Sequence, residues 1–156
     1  FVASEAMARR GKADQAVTVL LGGTRSVPRD GGLWAALGLA LTMRDGAVSP
    51  PAQLAFDRGF ALWPEHPGPW FYLGLARLHA GQLGDARAAW RRAIALSPSD
   101  APYRADFVAR MAILDRMIGE SGADAMGGIA QGGLARGTAS APDTTAAPMS
   151  GDGAPR

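Results

Sequence analysis

The 156-residue sequence has no cysteine and a single lysine, Lys12. Without cysteine there is no disulfide, no thiolate nucleophile and no cysteine-ligated zinc site. Histidine is almost as scarce: His66 falls in a proline-rich stretch, and His79 near the end of a helical run. Neither is spaced from carboxylates in a triad or metal-ligand pattern. The chain therefore does not read as an enzyme, and no metal or cofactor is expected. Positive charge comes from arginine, and the formal net charge is only +2. Arg9, Arg10, Arg87, Arg91 and Arg92 are diluted by Asp57, Asp85 and Asp115, the pattern of solvated helix faces rather than a nucleic-acid footprint. No run approaches the roughly 18–20 apolar residues of a membrane span. The most apolar stretch, LWAALGLALTM at 33–43, has the length of a buried helix. No membrane insertion is expected of this segment. It opens on Phe1 with no signal pattern and reads as a piece of a longer protein, which leaves room for an anchor upstream.

Aromatic residues stop after Phe107, and from Gly119 onward the chain is mostly Gly, Ala, Ser, Thr and Pro. Such composition buries too little apolar surface to offset about 1–2 kcal/mol of backbone entropy per ordered residue. Residues 119–156 are expected to be a disordered tail. The glycine pairs at 127–128 and 132–133 lack the preceding strand and following Gly-Lys-Ser/Thr of a phosphate loop.

Before Gly119 apolar residues recur at helical spacing, and no segment alternates with period two. Breaks at Gly11, Gly22-Gly23, Pro28 to Gly32, Ser49 to Pro51, Pro64 to Pro69, Gly81 and Pro98 leave room for seven short helices. Within them lies a repeat. Trp70, Leu73, Gly74, Gly81, Ala86, Trp90, Ala93 and Pro98 meet the spacings of the tetratricopeptide pattern, a helix-turn-helix unit of 34 residues. Trp34, Leu37, Gly38, Ala52, Phe56 and Pro64 repeat it, with extra length in the turn; Gly11, Ala16, Leu20 and Pro28 make a partial copy. Small residues let paired helices approach, aromatics fill the wedges, and prolines end the second helices.

The fold class is therefore all-α, a tetratricopeptide-like solenoid over 1–118. It comprises a partial repeat at about 1–30, repeats at about 31–66 and 67–100, and a closing helix at 101–118. Asp100 is placed to cap that helix, with Pro102 in its first turn. Tyr103, Phe107, Met111, Leu114 and Ile118 form its inward stripe, with arginines and aspartates outward. Trp34, Leu37, Trp70, Leu73, Trp90 and Phe107 are expected in the core.

In such a stack the first helices of the repeats line a concave face. The template places Ala35, Leu39 and Met43 there from one repeat, and Phe71, Leu75, Leu78 and His79 from the next. The set is almost wholly apolar. It lacks the Lys and Asn with which chaperone-binding members of this repeat class hold a C-terminal carboxylate. An apolar face suits an amphipathic helix anchored at i, i+3, i+4 and i+7.

Beyond the generic repeat, HPGPWFYLGLA, ARAAWRRAIA and PSDAPYR resemble the C-terminal repeat domain of bacterial cytochrome c biogenesis factors of the CcmI/CycH family. The corresponding tail of fused CcmH proteins is similar too. The DAPYR segment is the more telling part, because generic repeats do not require it. The resemblance covers about 11–118. It implies a module that holds apocytochrome c by its C-terminal helix and presents it to haem-lyase subunits. It also implies a place on the periplasmic side of the bacterial inner membrane. The competing expectation is a generic tetratricopeptide scaffold serving another periplasmic or membrane-associated assembly.

Overall fold

The computed structural model describes the backbone of residues 2–134 and the side chains of residues 5–122. The chain divides into two units, Phe1–Glu120 and Ser121–Arg156. Among the described residues there are six helices and no strand: α1 (Val2–Ser26), α2 (Gly31–Asp45), α3 (Pro50–Leu62), α4 (Pro67–His79), α5 (Leu83–Leu96) and α6 (Arg104–Leu134).

Local chemistry sets most of the boundaries. Asp30 caps α2 by accepting the Leu33 N–H at 3.0 Å. Gly46, at φ 75°, closes that helix in the left-handed conformation that only glycine adopts without cost. Pro50 and Pro51 open α3, where the absent N–H would have no partner anyway. His66 caps α4 through Nδ1, which accepts the Gly68 N–H at 3.0 Å. Gly81, at φ 76°, makes the turn into α5.

Packing follows the repeat. α2 pairs with α3 and α4 with α5, while α2 also lies against α1 and α4. In each pair one glycine admits one aromatic ring. A Cβ at Gly38 would sit 2.8 Å from the Phe56 ring, and one at Gly74 would overlap the Trp90 indole. Ala52, Phe56, Ala86 and Ala93 are fully buried as a result. Leu37 and Trp90 are core residues as expected. Trp34, Trp70, Leu73 and Phe107 are half-buried and pack against the core from its edge. Trp34 keeps its indole N–H at the edge to reach the Pro28 carbonyl at 2.9 Å.

The N-terminal segment departs from expectation. Gly11 and Gly22-Gly23 do not break it; α1 runs through all three. A Cβ at Gly11 or Gly22 would meet nothing within 4 Å. These glycines relieve no crowding; they only weaken the helix, by about 1 kcal/mol each relative to alanine. The flanking residues are good helix formers and carry it. Among the described residues there are thus six helices rather than seven, and the partial repeat contributes one continuous helix with Ala13 and Val17 packed toward α2.

α6 starts later than expected. Asp100 to Tyr103 form turns, not a capped first turn. Arg104 instead donates to the Ile94 and Ser97 carbonyls, each at 2.8 Å, satisfying the open end of α5. Phe107, Met111, Leu114 and Ile118 face inward, whereas Tyr103 stays 41% exposed. The outer face carries Asp106, Arg110 and Arg116, but it is not a polar cap: Ala105, Val108, Ala109 and Ala112 are exposed on it too. The helical backbone continues past Gly119 to Leu134. Extending an existing helix adds one hydrogen bond per residue fixed, without a new nucleus. The remainder of the expected tail, 135–156, lies outside the described residues.

A candidate peptide-binding groove

The first helices α2 and α4 place their facing residues one turn apart, so every fourth side chain reaches the concave face. Leu39 and Met43 of α2 meet Leu75, Leu78 and His79 of α4 around a cavity of about 310 Å³. A second cavity of about 360 Å³ adjoins it, walled by Lys12, Ala13, Ala16 and Leu20 of α1 and by Ala36, Leu39, Ala40 and Met43 of α2. Met43, 49% exposed, belongs to both.

Five of the seven expected groove residues are thus brought together: Leu39, Met43, Leu75, Leu78 and His79. Ala35 is not among them. It is fully buried against Phe56 and Ala76, because it points into the α2–α3–α4 junction; its neighbour Ala36 reaches the open cavity. Phe71 is also withdrawn. Its ring stacks on Phe107 at 4.4 Å and on Trp90 at 5.9 Å, with the Arg110 guanidinium 5.7 Å from its centroid. Phe71 joins α6 to the repeat rather than offering a free surface.

The α1 wall is hard to see in the sequence because Gly11 and Gly22-Gly23 have the look of helix breaks. The spacing of Ala13, Ala16, Val17 and Leu20 carries the signal for one continuous apolar face. Charge is confined to the rim, where Arg9 and Lys12 stand, with exposed His79 beside the apolar floor. No acidic residue lines either cavity. Among the described residues no cluster of His, Asp and Glu could hold a metal ion, and no helix is long and apolar enough to cross a membrane. Chemically, the surface can do one thing well: cover an apolar side-chain row and hold negative charge at its edge.

Residues 67–100 match the tetratricopeptide repeat model. The chain is similar to the cytochrome c-type biogenesis protein CycH of Rhizobium meliloti, 37% identical over 101 residues, which is 61% of this chain and 25% of that protein. It is also similar to the CycH of Bradyrhizobium diazoefficiens, 39% identical over 59 residues, 38% of this chain and 16% of that protein. The chain thus spans a quarter or less of the length of these curated relatives. No solved structure matches it.

Proposed function

We propose that this chain is a non-catalytic protein-binding module of c-type cytochrome maturation. It holds the amphipathic C-terminal helix of apocytochrome c in its concave groove for presentation to haem-lyase subunits, on the periplasmic side of the inner membrane. The observation that carries the reading is the continuous apolar floor from Leu39 and Met43 to Leu75 and Leu78, rimmed by basic groups and without a carboxylate clamp. A helix laid there buries apolar anchors one and two turns apart, as helix-in-groove recognition requires. Similarity to the two CycH proteins supports the choice of client.

The test is methyl NMR with a peptide from the C-terminal helix of a c-type apocytochrome of the same organism. The reading expects the Met43, Leu39, Leu75 and Leu78 methyl signals to shift together and saturate. Shifts confined to other methyls, or none, would overturn it.

A further inference from the structure

The turns that lead into α2 and α4 share one backbone frame and differ in their side chains. Into α2, the Val27 N–H donates to the Gly23 carbonyl at 2.8 Å, and the Asp30 N–H to the Val27 carbonyl at 3.2 Å. Into α4, the matching residues of the next repeat do the same: Trp63 donates to Gly59 at 2.9 Å, and His66 to Trp63 at 3.3 Å. Pro28 and Trp34 of the first turn correspond to Pro64 and Trp70 of the second. Yet the Trp34 indole N–H donates to the Pro28 carbonyl at 2.9 Å, whereas the Trp70 Nε1–H is buried and finds no acceptor among the described residues. Buried donors are rarely left so.

The helix caps account for the difference. Asp30 accepts the Leu33 N–H, but Pro69 stands at the corresponding place and has no N–H to give. Pro67 lacks one too, so Gly68 holds the only N–H among the first three residues of α4. His66 Nδ1 accepts it at 3.0 Å. That bond goes with a ring pair, the imidazole lying 4.7 Å from the Trp63 indole between centroids. The pair spans Pro64 and holds the turn from both sides. In the first turn the matching residues, Val27 and Asp30, have no rings to pair, and there the indole reaches the proline carbonyl.

Nδ1 accepts only while the imidazole is neutral; the protonated ring donates from both nitrogens. Protonation sets two N–H donors against each other and places positive charge at the N-terminus of α4, where the helix dipole disfavours it. No carboxylate offsets that charge. Glu65 lies in the turn itself, and Arg29 and Asp30 precede the α2 glycines packed on Trp63, but none forms an ion pair with His66. The last turn of α3 and the first turn of α4 carry no charged residue.

We propose that the Trp63–His66 turn is an acid-sensitive joint between the two repeats. With His66 neutral, its ring caps Gly68 and the Trp70 indole stays unpaired. With His66 protonated, the ring leaves the cap, and the Pro64 carbonyl takes the Trp70 indole N–H as Pro28 takes that of Trp34. The start of α4 is then held by a different contact, and α4 is the helix that carries Leu75, Leu78 and His79. The joint goes beyond client binding and does not rest on it.

The test is nitrogen-15 NMR of the four indole N–H groups of the 156-residue chain, from about pH 8 to about pH 5, the range in which histidine changes charge. Trp70→Phe identifies the Trp70 signal, and His66→Asn identifies the His66 ring protons. The Trp70 indole proton is expected to move downfield with acid, sharing one midpoint with the His66 ring, while the Trp34 indole holds still. In His66→Asn, which has neither ring nor titration, the Trp70 proton is expected at the downfield position at every pH. His66→Asp, which copies Asp30, replaces that variant if its melting curve shows that it does not fold. A Trp70 signal that ignores the His66 titration, a His66 ring that takes up no proton in this range, or a variant whose Trp70 signal still titrates or stays upfield would each overturn the proposal.

Discussion

The Trp90 indole lies directly over Gly74, leaving no room for a Cβ there, and its Nε1–H donates to the Phe71 carbonyl at 3.2 Å. This one contact joins the two helices of the repeat, satisfies the buried indole and sets the stack of Phe71 on Phe107. Trp90→Ala removes the ring and leaves a cavity over Gly74. The expected loss is about 3–5 kcal/mol, a large share of the roughly 5–15 kcal/mol that holds a domain. Urea unfolding followed by circular dichroism measures it; a wild-type midpoint would refute the packing.

Glycine-to-alanine exchanges should divide in sign along the chain. At Gly74 the new methyl meets a rigid indole, and Gly74→Ala is expected to destabilise by about 1–3 kcal/mol. At Gly11, inside α1 with open space around it, the same change is expected to stabilise by about 0.5–1 kcal/mol. Thermal melts of the two variants decide this, and equal effects would mean that one of the two environments is misplaced.

Arg104 gives the DAPYR segment a physical role. Its guanidinium closes the last turn of α5 by two hydrogen bonds of 2.8 Å to backbone carbonyls. Arg104→Leu keeps most of the apolar stem but removes both hydrogen bonds, leaving the Ile94 carbonyl only its bond from the Ser97 N–H, so a loss of about 1–3 kcal/mol is expected. Hydrogen exchange should locate the loosening at the end of α5 and the start of α6. Protection unchanged there would contradict the assignment.

At the α2–α3 turn, Arg44 donates to Asp45 at 2.8 Å and Ser49 donates to it at 3.0 Å. The Arg44 hydrogen bond, chiefly, holds the Asp45 carboxyl below its ordinary value of 3.8. A carboxylate with a depressed folded-state pKa adds stability above its unfolded value and loses it as pH falls through the folded one. Both groups are largely solvated, so the effect is small. Asp45→Asn should melt slightly below wild type near pH 7, and the gap should narrow as pH falls below 3.8 and close in stronger acid. A gap that persists in acid would exclude the carboxylate as its source.

The fold was legible where a residue had a partner at fixed sequence separation. Gly38 with Phe56 and Gly74 with Trp90 hold the same two positions of the repeat, set further apart in the first by its longer turn, and those positions carry the helix pairs. Illegible parts depend on distant contacts. Gly11 carries no local sign that distinguishes a break from a tolerated weak point; the neighbours decide, and they favour helix. Ala35 and Ala36 differ by one residue on an apolar helix, yet one is sealed by Phe56 while the other lines the open cavity. Phe71 looked like a groove residue until α6 was in place to stack on it.

The central claim, a client helix in the concave groove, is tested most directly by calorimetric titration of the chain with an apocytochrome C-terminal helix peptide. Met43→Asp serves as the control, because Met43 is half exposed at the junction of both cavities and its loss spares the core. Binding at micromolar concentrations or tighter, weakened at least about tenfold in Met43→Asp, corresponding to about 1.4 kcal/mol, is the predicted result. No binding by a cooperatively melting wild-type chain, or equal binding by the variant, would contradict it.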